Sequence, residues 1–280
     1  MKLYYYAHTG HKNSLDRLRK ACALFKKLDE KGLDTRLLVN DFRAGLVAKE
    51  LGIRDSVTIE TILDIDAIAT FGDAVIIDSP EDDRGRLEQY CSDYRHVFRF
   101  ANDEEDSSRY GETVIACDEV VVDDLYFEKH EKVDRTLFFW GDNDADKTIL
   151  AHADFFDPNT ELLLGHYFFL KYEQELDKIF KNLHEAEEYS ELISNSKNVI
   201  TASVQCALEA RISGANVIFI DDGKQQNCTK KLLDKFQIST IDGFDRKSYE
   251  QLMLDNTQKS NLITQKTEII ATIILNRLAS

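Results

Sequence analysis

Short β-rich runs alternate with amphipathic helical stretches along almost the whole chain, and that alternation leaves few folds open. Parallel neighbours in a sheet need a crossover long enough to hold a helix, and those helices then cover both faces of the sheet. Residues 3–6 read as a first strand. The loop 7–13 follows, then a helix over 14–31 that puts Leu15, Leu18, Cys22, Phe25 and Leu28 on one face and stops at Gly32. Further strands are predicted at 35–39, 56–59, 74–78, 97–101 and 114–117, with helices at 41–51 and 81–94. A second series runs through strands at 136–140, 161–165, 198–201, 216–220 and 238–241. Its helices are predicted near 145–156, 173–180, 204–212 and 229–236, and two helical segments end the chain.

A chain of 280 residues exceeds the size at which one core usually stops growing, so two domains are expected. The charged stretch 127–135, FEKHEKVDR, is the predicted crossing. This gives a Rossmann-like domain over 1–130, a second, nucleotide-binding one over 131–245, and a helical tail over 246–280. The expected class is α/β, two Rossmann-like domains with parallel sheets facing a central cleft.

Hydrophobic residues make up 43% of the chain and charged residues 31%, enough for a sizeable core. The formal charge of −16 is spread along the sequence and disfavours a nucleic-acid backbone or an anionic membrane as partner. Five widely spaced cysteines without a CxxC pair argue against a zinc site and a disulfide framework and fit a cytoplasmic protein. The N-terminus lacks the apolar core of a secretory signal, and no run of 18 apolar residues is present. No metal or cofactor is expected.

Three loops hold candidate chemistry. The first, Ala7-His8-Thr9-Gly10-His11-Lys12-Asn13, lies where the first strand hands over to a helix, the position at which open α/β sheets bind ligands. Gly10 lets the backbone approach an anion, and either histidine suits a general base. The alternative is a capping loop. The second, Gly141-Asp142-Asn143-Asp144, repeats this layout in the second series, with Asp142 or Asp144 as a plain helix cap for alternative. The third is the turn Thr201-Ala202-Ser203 and its helix, where Glu209 is placed either to accept ribose hydroxyls or to sit solvated on a helix surface.

Taken in order, these pieces resemble, as a divergent member, the UDP-sugar hydrolase family of pseudaminic acid biosynthesis, a relative of the lipid II glycosyltransferase with the glycosyltransferase-B fold. Gly10-His11 and Arg17 match that family's glycine-histidine loop and downstream arginine, with about three residues inserted. Val75-Ile76-Ile77-Asp78 is similar to its strand ending in aspartate, and Gly141-Asp142-Asn143-Asp144 to its Gly-Gly-Thr/Ser-Asp. Thr201-Ala202-Ser203 with Glu209-Ala210 is similar to its small-residue turn and Glu-Ala helix.

The resemblance implies that His11 acts on a water that attacks the anomeric carbon and displaces UDP. Glu209 would hold the ribose. The turn from Ala202 through Ser203 to Gln205 would lie near the phosphates, with Gly10, Arg17, Asp78, Gly141 and Asn143 as further binding residues. The partner implied is a small-molecule nucleotide-sugar, and the oligomeric state is left open. Two alternatives stand beside hydrolysis: a glycosyltransferase using a UDP-sugar donor, and a non-catalytic binding protein whose glycine loops have decayed.

Overall fold

The computed structural model describes residues 1–10, 14–168, 172–223, 227–254 and 266–279. The chain divides into two compact units, Met1–Asp123 with Gln265–Ser280, and Asp124–Thr264.

In the first unit the elements run β1 (Leu3–Ala7), α1 (Asp16–Glu30), β2 (Thr35–Val39), α2 (Phe42–Glu50), β3 (Ser56–Thr58), β4 (Ala74–Asp78), α3 (Arg86–Asp93), β5 (His96–Phe100) and β6 (Thr113–Ile115). All six strands are parallel, in the order β3-β2-β1-β4-β5-β6. Every residue of β1 and β4 is buried, which is why Leu3-Tyr4-Tyr5-Tyr6-Ala7 and Ala74-Val75-Ile76-Ile77-Asp78 read as nearly continuous apolar runs.

The second unit contains β7 (Val133–Phe139), α4 (Thr148–Ala151), β8 (Thr160–Leu163), α5 (Glu173–Leu176), β9 (Leu183–His184), α6 (Tyr189–Asn195), β10 (Ser196–Thr201), α7 (Val204–Ile212), β11 (Asn216–Asp221), α8 (Asn227–Lys235), β12 (Ser239–Asp242) and α9 (Arg246–Leu254). Its sheet is again parallel, ordered β12-β11-β10-β7-β8-β9. Counted from its own first strand, this is the order of the first unit. Each unit therefore has its topological switch point between its first and fourth strands, β1/β4 in one and β7/β10 in the other, where crevices open at the carboxyl ends. One side of the second sheet packs an aromatic cluster of Phe138, Phe155, Phe156, Tyr172 and Phe180, with Phe138 and Phe156 ring centroids 4.7 Å apart.

The last helix, α10 (Lys266–Ala279), returns to the first unit and packs on α1. Thr267 Oγ1 accepts from the Val122 N–H at 3.0 Å and donates to the Val122 carbonyl at 2.9 Å. Among the described residues no helix is long and apolar enough to cross a membrane.

Several elements differ from expectation for local reasons. α3 starts five residues later than the sequence predicts, because Asp82 accepts from the Arg84 N–H and Asp83 from the Gly85 N–H. These side-chain turns compete with a helix, and Gly85 enters it in the left-handed conformation at φ 83°. The helix expected over 145–156 shrinks to the single turn of α4 and a 3-10 turn at Ala153–Phe155, since the chain reaches α4 through Lys147 at φ 55°.

Candidate functional site

At the first switch point β1 ends at Ala7 directly beside Asp78, the last residue of β4. The His8 N–H continues the ladder by donating to the Asp78 carbonyl at 3.0 Å. The Asp78 carboxylate is 4% exposed and carries three partners. Tyr5 OH donates to it at 3.0 Å, Lys20 Nζ lies at 2.7 Å and Arg17 Nε at 3.3 Å. Both cations come from the first two turns of α1, so this helix delivers positive charge to the strand end as well as its dipole. Lys20 also sits 4.0 Å from the centre of the Phe100 ring. Thr9 is locked by Asn40, whose Oδ1 accepts from its N–H at 2.6 Å and its hydroxyl at 3.1 Å. Gly10, at φ 134°, pairs with Ser14 in an isolated bridge. Gly10, Arg17 and Asp78 thus gather at one strand end. His11 and Lys12 lie outside the described residues.

Glu81 belongs to the same place. Its Oε2 accepts from Tyr6 OH at 2.6 Å, Ser79 Oγ at 2.9 Å and the Ile62 N–H at 3.3 Å, while its Oε1 faces His8 Nε2 at 3.8 Å. Burial pushes the His8 imidazole below its ordinary range, the Arg17 charge acts in the same direction, and the Glu81 and Asp78 charges oppose both.

At the second switch point β7 leads into Gly141-Asp142-Asn143-Asp144 and β10 into Thr201-Ala202-Ser203, with Phe139 and Thr201 in register. Gly141 takes φ 151°, and a Cβ there would meet open space. Asp144 caps α4: its Oδ1 accepts from the Thr148 N–H at 2.7 Å and its Oδ2 from the Ile149 N–H at 3.2 Å. Burial pushes its carboxyl up. Asp142 has a fully buried side chain 3.7 Å from His166 Nδ1, and its carbonyl accepts from the Tyr167 N–H. Gly165 presses against this loop so closely that a Cβ would fall inside 3.0 Å of the Asp142 and Gly141 backbone.

Thr201 Oγ1 accepts from the Ser203 N–H at 3.0 Å, and Ser203 Oγ caps α7 by accepting from the Cys206 N–H at 3.1 Å. Two turns into α7, Glu209 is 2% exposed. Tyr189 OH donates to its Oε2 and Gln205 Nε2 to its Oε1, both at 2.8 Å. The glutamate is therefore not a solvated helix side chain. Gly141, Asn143, Ala202, Ser203, Gln205 and Glu209 all belong to the paired strand ends of this switch point and the helix that follows.

Solved structures share this architecture over the full chain. A UDP-GlcNAc 2-epimerase from Methanocaldococcus jannaschii, in complex with UDP-GlcNAc and UDP, matches 99% of the chain with 100% of its own at TM-score 0.59 and 11% identity. S. aureus MnaA with UDP matches 100% with 98% of its own at 0.62 and 12%. Acinetobacter baumannii MurG matches 99% with 100% of its own at 0.53 and 13%. The fold is of the glycosyltransferase-B type. No protein-family model and no curated protein matches the sequence.

Sequence reasoning did not single out Glu81, Tyr6, Tyr189 or Gly165. Tyr6 and Glu81 lie 75 residues apart, and only the β1/β4 pairing brings them together. Among the described residues, no group of three or more His, Cys, Asp or Glu has the arrangement of a metal site.

Proposed function

We propose that this protein processes a UDP-sugar and that the reaction is hydrolysis. Water attacks the anomeric carbon, the bond from that carbon to the β-phosphate oxygen breaks, and UDP leaves with the electron pair. One observation carries the reading: a buried, oriented Glu209 follows a serine-capped turn at the second switch point of a fold whose solved examples include structures with UDP bound. Glu209 would accept the ribose hydroxyls, with Ala202, Ser203 and Gln205 near the diphosphate and Gly141 and Asn143 beside it. Gly10, Arg17 and Asp78 would bind at the first switch point. A histidine of the loop after β1 takes the proton from water, and the resemblance gives that role to His11.

A second reading is transfer or epimerisation of the same UDP-sugar, favoured by the epimerases and the glycosyltransferase among the structural neighbours. Thermal unfolding with UDP, UDP-N-acetylglucosamine, GDP and CMP tests the common part. A ligand at 100 times its Kd stabilises by about 2.7 kcal/mol, so a rise confined to the uridine nucleotides is expected. No rise with any of them leaves a non-catalytic scaffold. UDP release without an acceptor then marks hydrolysis, dependence on an acceptor marks transfer, and a new UDP-sugar without release marks epimerisation.

A further inference from the structure

His8 and Glu81 form a pair that neither the resemblance nor the structural neighbours assign. The imidazole is 13% exposed. Its Nε2 faces Glu81 Oε1 at 3.8 Å, while its Nδ1 is buried and has no hydrogen-bond partner among the described residues. Buried polar atoms are nearly always paired, so an unpaired one at a strand end where ligands bind calls for a partner that arrives with the ligand.

Glu81 is built as a fixed counter-charge. Its Oε2 is held from three sides by Tyr6, Ser79 and the Ile62 N–H, and that grip turns Oε1 towards the ring. The His8 backbone is pinned in turn, because its N–H donates to the Asp78 carbonyl. A carboxylate on the Nε2 side favours the tautomer with its proton there and leaves Nδ1 as the acceptor, the arrangement of a general base oriented by an acid.

We infer that His8, backed by Glu81, is the proton acceptor of the reaction: Nδ1 takes the proton of the attacking water as its oxygen bonds to the anomeric carbon, and Glu81 stabilises the resulting imidazolium. UDP departs with the electrons of the broken bond, and the proton passes from Nδ1 to solvent when the products leave. This rests on the UDP-sugar reading and moves the proton-accepting role from His11 to His8. Among the described residues, the charged groups that act on the ring are Glu81, Arg17 and Asp78.

The experiment compares H8N, E81Q and H11A with the wild type in UDP release from a UDP-sugar that the wild type turns over. Each is paired with UDP-dependent thermal stabilisation. H8N retains a polar group near the Nδ1 position but cannot accept the proton, so kcat should fall about 10²- to 10⁴-fold while the UDP shift persists. E81Q removes the charge that supports the imidazolium, so the acid limb of its pH–rate profile should move to lower pH. ¹⁵N-histidine NMR should show the His8 titration moving the same way, a readout independent of turnover. H8N turning over within about threefold of the wild type, or an E81Q profile and His8 titration that stay in place, overturns the inference and leaves the UDP-sugar reading intact. A wild type that binds uridine nucleotides but turns over no UDP-sugar overturns both.

Discussion

Replacing Gly165 by alanine tests whether the loop Gly141-Asp142 is held in place by the backbone pressed against it. Gly165 does not lie in the left-handed region, so alanine meets no conformational barrier and the effect is purely steric. The new Cβ would lie inside 3.0 Å of backbone atoms of Asp142 and Gly141, where ordinary contact begins at 3.4 Å. The two loops must therefore part by roughly 1 Å, and no flexible side-chain end is available to yield. Overpacking a tight site costs about 1–3 kcal/mol, and a backbone clash belongs at the upper end. For a protein this size that corresponds to a fall of about 6–12 °C in Tm. Gly223→Ala is the control: its φ is +78° but a Cβ there meets nothing within 4 Å, so only the backbone penalty of about 1–2 kcal/mol applies. Thermal unfolding of both variants with and without UDP gives the answer. G165A should melt below G223A and lose part of its UDP-dependent stabilisation. If G165A melts within about 2 °C of the wild type with its UDP response intact, the close approach has no such role.

Three further outcomes are expected. Asp78→Asn leaves Arg17 and Lys20 facing a neutral amide and weakens the bond from Tyr5, and urea denaturation should show a loss of about 2–3 kcal/mol, partly relieved because both cations can turn to solvent. Ser203→Ala removes the cap of α7 and should cost about 1 kcal/mol in the same assay, with weaker UDP binding if the turn contacts the nucleotide. Arg99 holds the Asp106 carboxyl below its ordinary value of 3.8, and the backbone N–H groups of Tyr110 and Arg109, with Arg99 beside them, hold that of Glu112 below 4.5. A depressed carboxyl contributes stability that is complete above its unfolded pKa and lost as pH falls through the folded one, so the protection factors of β5 and β6 amides, taken relative to intrinsic exchange at each pH, should fall below about pH 4 while staying constant from pH 6 to 8.

The strands were legible because parallel strands covered on both faces leave long apolar runs: β2 and β4 coincide with expectation, and α7 does as well. The sheet order was not, since local pattern reports that a strand exists and says nothing of which neighbour it takes. β9 escaped notice because two residues are too few for an alternation, and α6 because Tyr189-Ser190-Glu191-Leu192-Ile193-Ser194-Asn195 carries only a short apolar stripe. The second switch point was partly legible through its turn residues. The burial of Glu209 was hidden, since it depends on Tyr189, twenty residues away. His8 was visible as one of two loop histidines, but what sets it apart is Glu81, and that pairing exists only once β1 and β4 lie side by side.

The charges at the two switch points differ in a way that bears on what each can hold. The first sets two cations of α1 against Asp78, and Glu81 is the second carboxylate there. The second gathers Asp142, Asp144 and Glu209, all at most 3% exposed. A diphosphate brought beside those carboxylates gains backbone N–H contacts at the start of α7 but loses Coulomb energy to each negative charge, and burial strengthens both effects because screening is poor. At Asp144 burial pushes the carboxyl up, but the bonds it accepts from the Thr148 and Ile149 N–H groups favour its charged form. Glu209 keeps its negative charge while accepting from ribose hydroxyls, so it grips the ribose and still repels the diphosphate. The second unit is thus better suited to grip a nucleoside through hydroxyls than a diphosphate through charge. On that reasoning uridine should retain most of the affinity of UDP, whereas a site that grips phosphate would show an increment of more than tenfold with each phosphate added.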